Sequence, residues 1–400
     1  MHRERERIES SGKRVMIVTG EASGDLHGAA LVRSMLRIDP SLRFYGIGGE
    51  NLGAAGIDIV ARSSDMAVVG LTEVLSKLGY ILKVRRRLKQ LLQAGTTDLV
   101  ILVDYPDFNM PLAKVAKRLG VKVFYYISPQ VWAWRRGRIH QLARYVDRMA
   151  VIFPFETSVY EKVPLDVRFV GHPLLDAVGR KYSRHEALKQ FGLADGETTV
   201  GILPGSRESE VVRILPAMVE TAKILKKRLP AVQFVLPLAD TLEYDFVSHI
   251  IRQHDADVTI VRNSVYDVVG ISDIAMVASG TATLETALLE TPMIVVYKVS
   301  PFSYLMGKMI VHVDNIGMVN IIAGKTVVPE FIQGEANASH MADALYEILT
   351  DSSRMDAMKE ELTKIREKLG QPGAAGRAAN LAYGLLGETS GVRRQKSEYV

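Results

Sequence analysis

The chain has 400 residues, which is too long for one ordinary hydrophobic core and predicts two domains of comparable size. Its hydrophobic content of 48% and its charged content of 24% are typical of a globular protein. A net charge of +5 is too small to indicate a nucleic-acid-binding protein, although it is compatible with a basic patch facing an anionic surface. Cysteine is absent, which excludes disulfides, thiolate nucleophiles and cysteine metal sites and favours a reducing compartment.

The first fourteen residues are charged and lack an apolar stretch, so we expect no signal peptide and a disordered extension over 1–14. No uninterrupted apolar run reaches the about 18 residues that indicate a membrane-spanning helix. The best candidate, 292–313, is interrupted by Lys298, Lys308 and His312. We therefore expect a soluble or peripherally membrane-associated protein, with a disordered polar tail over 389–400.

Short apolar runs recur along the chain, and each is followed by a pattern typical of a helix. They occupy 15–19, 42–47, 99–103, 121–127, 149–153 and 167–170 in the first half, and 199–203, 232–236, 258–261, 274–278 and 293–297 in the second. Continuous apolar runs that alternate with helices indicate buried parallel strands in βαβ units. The sequence therefore predicts an α/β protein with two doubly wound, Rossmann-like domains that face each other across a cleft.

The spacing of these runs predicts the domain boundaries. We expect an N-terminal domain over 15–176 and a C-terminal domain over 177–365, joined by a polar, helix-like segment. Helices over 366–388 could pack back on the N-terminal domain. Ligands of doubly wound sheets bind at the carboxyl ends of the strands, so we expect the chemistry in the segments that directly follow the strands.

Two segments of the C-terminal domain combine a strand end, small residues and a helix start. They are LPGSR at 203–207, which contains Gly205, Ser206 and Arg207, and ASGTATLE at 278–285, which contains Ser279, Gly280, Thr281 and Glu285. Backbone N–H groups at such helix starts bind anions, and Glu285 suits a ribose diol. Because no metal-ligand cluster is evident, we expect Arg207 to bind a nucleotide diphosphate in place of a metal.

Acidic residues follow two strands of the N-terminal domain. In GEASGDLHG at 20–28, Ser23 or Asp25 could simply cap the next helix. In the functional interpretation, Glu21, Ser23 and Asp25 meet sugar hydroxyls or take part in a proton transfer. Asp104, in VDYPDFN at 103–109, stands at the end of a strand and could serve as general base, the alternative being a purely structural role.

Two further segments combine apolar or aromatic residues with arginines. ISPQVWAWRRGRI at 127–139 contains Trp132 and Trp134, followed by Arg135. The stretch 66–92 carries an apolar face that includes Val69 and Leu75, followed by a run of arginines and a lysine. Both could pack within their own domain. In the alternative interpretation they bind an amphiphilic anion, acyl chains or an anionic membrane surface.

Nine motifs occur in order between positions 20 and 324: GEASGD, VGLTEVL, DYPDFN, YYISPQVWAWRRGRI, PFE, FVGHPLLD, ILPGSR, ASGTATLE and NIIAG. Together they resemble the lipid-A-disaccharide synthase family, whose members are inverting glycosyltransferases of the GT-B type. One departure is the segment Gly317-Met318-Val319 before Asn320, where family members often carry S-L-P. This departure affects the expected shape of the loop, but not the match of Asn320 to the family's asparagine.

The resemblance implies transfer of a sugar from UDP-2,3-diacylglucosamine to 2,3-diacylglucosamine 1-phosphate (lipid X). The products would be the β-1,6-linked lipid A disaccharide 1-phosphate and UDP. It implies functional roles for Asp104, Arg207 and Asn320, no cofactor and no nucleic acid. It also implies a cytoplasmic enzyme, peripherally associated with the inner membrane of a Gram-negative bacterium, and a homodimer is compatible with the sequence.

Three alternatives share parts of this pattern. A UDP-sugar epimerase and the lipid-linked GlcNAc transferase of peptidoglycan synthesis would have the same fold, and a non-enzymatic lipid or nucleotide-sugar binding module could share the pocket. An epimerase would not need the basic amphipathic stretch over 66–92. A binding module would not need a carboxylate at the strand end occupied by Asp104.

Overall fold

The computed structural model describes residues 12–66, 71–132, 137–300 and 315–388, with the backbone alone for 71–77. The chain forms two compact units. Unit 1 comprises Met1–Pro173 together with Gln371–Val400, and unit 2 comprises Leu174–Gly370. The expected extension over 1–14 overlaps the first strand at Arg14, and its first eleven residues lie outside the described ranges, as does the tail over 389–400.

Unit 1 contains one sheet of seven parallel strands in the order β3-β2-β1-β4-β5-β6-β7. The strands are β1 Arg14–Val18, β2 Arg43–Gly48, β3 Asp58–Arg62, β4 Leu99–Val103, β5 Lys122–Tyr126, β6 Arg148–Val151 and β7 Asp166–Phe169. The helices are α1 Ala22–Ile38, α2 Glu50–Ala54, α3 Ser63–Met66, α4 Leu71–Gln93, α5 Pro106–Arg118, α6 Arg138–Tyr145, α7 Glu156–Val159 and, at the C-terminus, α17 Ala374–Gly387.

Unit 2 contains one sheet of six parallel strands in the order β10-β9-β8-β11-β12-β13. The strands are β8 Thr198–Leu203, β9 Val232–Leu238, β10 Thr259–Arg262, β11 Ile274–Ala278, β12 Met293–Tyr297 and β13 Glu330–Ile332. The helices are α8 Leu174–Ala177, α9 Arg184–Phe191, α10 Glu208–Arg228, α11 Tyr244–Gln253, α12 Val265–Ile271, α13 Thr281–Leu288, α14 Met318–Ala323, α15 Ala338–Thr350 and α16 Ser352–Lys368, with a 3₁₀ turn at Gln333–Glu335.

Every predicted apolar run corresponds to a strand, and two strands were missed. The central strand β4 reads LVILV and is buried along its whole length, because helices cover both faces of a parallel sheet. The missed strands, β3 and β13, lie at sheet edges, where no residue of β13 and only one of β3 is fully buried. An edge strand can therefore contain exposed polar residues, so it lacks the continuous apolar run from which the other strands were predicted.

The boundaries of the two units differ from those expected at 176/177 and 365/366. Helix α16 continues to Lys368 and packs against α13 and α14, so residues 366–370 belong to unit 2. Helix α17 packs instead on α1 and on strands of the first sheet, and Arg377 Nε donates to the carbonyl of Val170 at 2.8 Å. Within the described ranges, no helix is long and apolar enough to cross a membrane.

Candidate active site

Each sheet has a switch point, where the strand order reverses and a crevice forms at the carboxyl ends of two neighbouring strands. In unit 2 the switch lies between β8 and β11, which pair directly. The two loops that follow these strands are the predicted LPGSR and ASGTATLE segments. Gly205 has φ +109° and Gly280 has φ +155°, a backbone region that disfavours a residue with a Cβ. These glycines allow the chain to turn sharply from strand end to helix start.

A cavity of about 790 Å³ lies at this switch point, entirely within unit 2. Its wall contains seven of the predicted nucleotide-site residues: Gly205, Ser206, Arg207, Ser279, Gly280, Thr281 and Glu285. Helices α10 and α13 both begin at this wall, with Arg207 and Gly280 as their N-cap residues. The helix starts direct backbone N–H groups and the positive ends of two helix dipoles to one place, which suits an anion.

Arg207 lies at the edge of this cavity with its side chain 71% exposed, and its guanidinium forms an ion pair with Glu210 at 3.1 Å. An exposed ion pair of this kind contributes little to stability. The guanidinium can therefore leave Glu210 for a phosphate group without a large loss of folding free energy.

Glu285 is hydrogen-bonded to another cavity residue, Tyr266, whose hydroxyl donates to its Oε1 at 3.1 Å. Burial raises the pKa of Glu285, and the Tyr266 hydrogen bond partly opposes that shift. The sequence interpretation did not find Tyr266, nor Asp240 and Asn263, which also line the cavity. All three follow the ends of β9 and β10, so the rule that strand ends carry ligands would have found them.

Asn320, expected to bind the nucleotide, does not line this cavity and is fully buried. Its Nδ2 donates to the carbonyl of Val328 at 2.9 Å and to Glu330 at 2.7 Å, while its Oδ1 accepts from the N–H groups of Val327 and Val328. Glu330 in turn accepts from the backbone of 316–317. With its amide occupied by internal hydrogen bonds, Asn320 orders the 315–330 region in this structure and does not offer a free group to a ligand.

In unit 1 the switch lies between β1 and β4, and the loops that follow these strands contain Glu21 and Asp104. Both residues are exposed to solvent. Surrounding protein nevertheless removes water from part of the Asp104 carboxyl, and together with the nearby Glu21 charge this raises the pKa of Asp104 to about 6. The carboxylate is therefore ionised and more basic than an ordinary aspartate at neutral pH, as general-base catalysis requires.

Gly20 allows these two loops to approach each other. A Cβ at position 20 would lie 2.1 Å from Cγ of Tyr105, so the Tyr105 ring packs directly on the glycine backbone. The Tyr105 ring also stacks on the ring of Phe108, with 5.7 Å between centroids. Close packing of Tyr105 on Gly20 thus fixes the residue next to Asp104 against the loop that carries Glu21.

The expectation that Asp25 binds the acceptor is wrong for this structure. Its carboxylate is buried and accepts from the N–H groups of Gly49 at 2.5 Å, Asn51 at 2.9 Å and Leu52 at 3.3 Å, as well as from Nδ2 of Asn51. These donors lie at the start of α2, so Asp25 caps that helix from α1. Ser23, in the first turn of α1, is exposed and remains available.

The predicted lipid-binding residues lie mostly outside the described part of the chain. Val69, Trp134 and Arg135 fall in undescribed segments, and only the backbone of Leu75 is described. Trp132 is half-buried and packs edge-on against Phe155, with 5.2 Å between ring centroids. Further along α4, Leu78 is 44% exposed and Tyr80 is 39% exposed, and exposed basic residues follow at Lys83, Arg86, Arg87 and Lys89.

The described residues contain no group of three or more histidine, aspartate or glutamate side chains that could hold a metal ion. Positively charged groups at the unit 2 cavity include Arg207 and Lys181, together with the two helix starts.

Comparison with solved structures shows a GT-B fold. A glycosyltransferase from Rickettsia africae is 12% identical, with a TM-score of 0.58 over 95% of this chain and 100% of that one. A UDP-GlcNAc 2-epimerase from Neisseria meningitidis, solved with UDP-GlcNAc, is 13% identical, with a TM-score of 0.57 over 94% of this chain and 100% of that one. A transferase and an epimerase match equally well, so the fold alone does not distinguish the two activities.

Sequence comparison makes that distinction. A family model described as lipid-A-disaccharide synthetase matches residues 15–382. A lipid-A-disaccharide synthase from Syntrophus aciditrophicus is 56% identical over 377 residues, which cover 94% of this chain and 98% of that protein. Because both matches span nearly the whole chain, this chain belongs to the lipid-A-disaccharide synthase family.

Proposed function

We propose that this protein condenses UDP-2,3-diacylglucosamine with 2,3-diacylglucosamine 1-phosphate to give the lipid A disaccharide 1-phosphate and UDP, by a single inverting displacement. The family provides the reaction class. The observation that carries the mechanism is Asp104: a solvent-accessible carboxylate at the switch point of the first sheet, with a pKa raised to about 6.

In this mechanism the Asp104 carboxylate accepts the proton of the acceptor's 6-hydroxyl. The hydroxyl oxygen forms a bond to the anomeric carbon of the donor as the bond from that carbon to the diphosphate oxygen breaks. Attack from the face opposite to UDP inverts the anomeric configuration and gives the β-1,6 linkage. Glu21 contributes the charge that helps to raise the Asp104 pKa, and with Ser23 it is available to the sugar hydroxyls.

The departing UDP bears the negative charge that develops in the transition state. The helix starts at Ser206 and at 279–281 and the Arg207 guanidinium are suited to stabilise it, because preorganised donors are effective where charge develops. Glu285, oriented by Tyr266, accepts hydrogen bonds from the ribose hydroxyls. This assignment uses no metal and no cofactor.

Both substrates carry acyl chains, and the acceptor adds a phosphate, so the reaction requires access to a lipid–water interface. We propose that α4 of unit 1 provides it, with Leu78 and Tyr80 entering the headgroup region and the basic residues after them meeting anionic lipids. In this proposal the enzyme acts as a peripheral protein on the cytoplasmic side of the inner membrane.

The test is a reaction with purified protein, each substrate alone and both together. We expect UDP release only when both substrates are present, with a product of one disaccharide per UDP. An epimerase would convert the donor without acceptor, and a binding module would release no UDP. A nucleotide-sugar transferase for another lipid-linked acceptor would ignore 2,3-diacylglucosamine 1-phosphate. Activity that is lost in EDTA and restored by Mg²⁺ would contradict the metal-free assignment of Arg207.

A further inference from the structure

The backbone at the proposed base is held in an unfavourable conformation. Asp104 has φ 43° and Tyr105 has φ 48°, so two consecutive residues with side chains occupy the left-handed region. Such residues are uncommon singly, because the Cβ crowds the backbone, and a consecutive pair persists only where the surrounding structure holds it. The interactions that hold this pair therefore determine where the Asp104 carboxylate sits.

Two buried side chains bind the backbone carbonyl of Asp104. The Tyr125 hydroxyl donates to this oxygen at 2.5 Å, and Asn109 Nδ2 donates to it at 2.7 Å. Asn109 Nδ2 also lies 3.3 Å from the carbonyl of Val103, the preceding residue. Both side chains are fully buried, Tyr125 on strand β5 and Asn109 in the first turns of helix α5.

A third contact completes the anchor, since the Asp104 N–H donates to the carbonyl of Tyr126 at 3.2 Å. The main chain of Asp104 is thus bound from β5 through its N–H and from β5 and α5 through its carbonyl. Its side chain, by contrast, is exposed to solvent. A backbone anchored on the protein side leaves the carboxylate free to meet a substrate without losing its position.

We propose that Asn109 and Tyr125 are positioning residues for the reaction, which hold Asp104 in its left-handed conformation by hydrogen bonds to its backbone carbonyl. This inference rests on the proposed function, in which Asp104 is the general base. It assigns a role to the asparagine of DYPDFN and to the first tyrosine of YYISPQ, which the mechanism does not otherwise use. Small displacements of a catalytic group are costly, and the two side chains prevent them here.

The alternative is that both residues only stabilise the fold, as buried hydrogen-bonding side chains commonly do. The two explanations differ in what they predict for the folded protein. A structural role lowers the free energy of unfolding and leaves the turnover of each folded molecule unchanged. A positioning role lowers kcat at full occupancy of the folded state and changes the environment of the Asp104 carboxyl.

The experiment compares Tyr125→Phe, Asn109→Ala and the double variant. Tyr125→Phe removes one oxygen and keeps the ring, so it carries the test even if Asn109→Ala does not fold. The matched control is Tyr45→Phe, a buried tyrosine of the same unit whose hydroxyl bonds Thr97 at 2.6 Å, away from Asp104. For Tyr125→Phe we expect kcat to fall about 10- to 100-fold with the KM for UDP-2,3-diacylglucosamine unchanged. We expect Tyr45→Phe to keep its kcat.

The pH profile gives a second readout that a structural role would not move. The titratable groups that interact electrostatically with Asp104 are Glu21 after β1, Glu156 at the start of α7 and Tyr125 itself. Both glutamates stay in place in the variants, and the Tyr125 hydroxyl is neutral over the pH range of the test, so its removal takes away no charge. If the backbone relaxes, water reaches the Asp104 carboxyl and its pKa falls from about 6. The acid limb of the pH profile, where kcat rises as Asp104 ionises, then moves to lower pH. Because both donors bind one oxygen, the effects of the single variants should also fail to add.

The proposal is overturned if Tyr125→Phe retains wild-type kcat with an unmoved acid limb, or if its loss of activity equals its loss of folded protein. Asp104→Asn separates this result from a failure of the proposed function. An active Asp104→Asn enzyme would refute Asp104 as the base, and with it both proposals. An inactive Asp104→Asn enzyme beside a normal Tyr125→Phe enzyme would refute the positioning role alone.

Discussion

The two switch points of this molecule have the same topology and opposite chemistry. In unit 2, glycines with positive φ, hydroxyl residues and Arg207 gather around two helix starts, which suits an anion. In unit 1, the equivalent loops present Glu21 and Asp104, and residues with side chains take up the positive-φ positions. The sheet order fixes where a ligand can bind. In the function we propose, the few residues after each strand decide whether that place binds phosphate or accepts a proton.

The largest expected effect tests the acidic switch point. Asp104→Asn keeps the side-chain shape and removes the proton acceptor, so kcat should fall about 10²- to 10⁴-fold. UDP affinity, measured by titration calorimetry, should not change, because the nucleotide cavity lies in the other unit. The matched control is Asp107→Asn, in the same motif and ion-paired with Arg138. If Asp104→Asn is active and Glu21→Gln is not, the base belongs to the loop after β1.

The next effect tests the basic switch point. Arg207→Ala should cost about 3–5 kcal/mol of transition-state stabilisation, since a charge-assisted contact to the leaving group is lost. Lysine should restore little activity, because it lacks the planar fork of donors. The control is Arg213→Ala in helix α10, where the Arg213 guanidinium donates to the backbone carbonyl of Ser209, and it should be near normal. Near-normal kcat/KM in folded Arg207→Ala would contradict the assignment.

Replacing Gly20 tests whether the acidic switch point needs the close contact between Gly20 and the Tyr105 ring. In Gly20→Ala the new methyl group would overlap the Tyr105 ring, so we expect a loss of about 1–3 kcal/mol in the free energy of unfolding. Displacement of Tyr105 should also lower kcat about 10-fold or more while UDP binding persists. Gly53→Ala, where a Cβ would meet nothing within 4 Å, is the control. Wild-type stability in Gly20→Ala would show that the two loops need not approach so closely.

The pH dependence separates activity from stability at the acidic switch point. Asp104 must be ionised to act as base, so kcat should rise with pH through its pKa of about 6. The folded-state pKa lies above the unfolded value, so the contribution to stability is present at low pH and is lost as pH rises through about 6. Asp104→Asn should therefore raise Tm modestly at pH 8 and leave it unchanged at pH 3. An acid limb near pH 4 would show that burial and Glu21 do not shift this carboxyl.

The smallest effect concerns membrane binding, which we assign to unit 1 alone. Leu78→Ser with Tyr80→Ser should weaken binding to anionic vesicles, and added salt should weaken it further by screening basic residues worth about 1 kcal/mol each near the surface. The control is Leu119→Ser, which replaces a leucine of the same unit with similar exposure. Binding that is indifferent to both substitutions and to salt would mean that this part of α4 does not face the lipid.

Much of the nucleotide site could be predicted because its signals are local. A glycine with positive φ, a strand end and a helix start lie within five residues at LPGSR, so sequence alone places them together, and the cavity contains every predicted residue except Asn320. The parallel, buried strands were equally visible, because burial on both faces demands continuous apolar runs. These are properties of neighbouring residues in the chain.

Tertiary structure decided the remaining roles, because they depend on partners distant in sequence. Asp25 caps a helix that begins 25 residues later, and Asn320 has its hydrogen bonds taken by 327–330, so neither polar side chain is free for a ligand. The pKa of Asp104 is raised first by loss of water around its carboxyl, which no local pattern encodes, and then by the charge of Glu21, 83 residues earlier in the chain. The sequence determined which residues have side chains suited to the chemistry. Packing determined which of those side chains remain accessible to a ligand and which are occupied by internal hydrogen bonds.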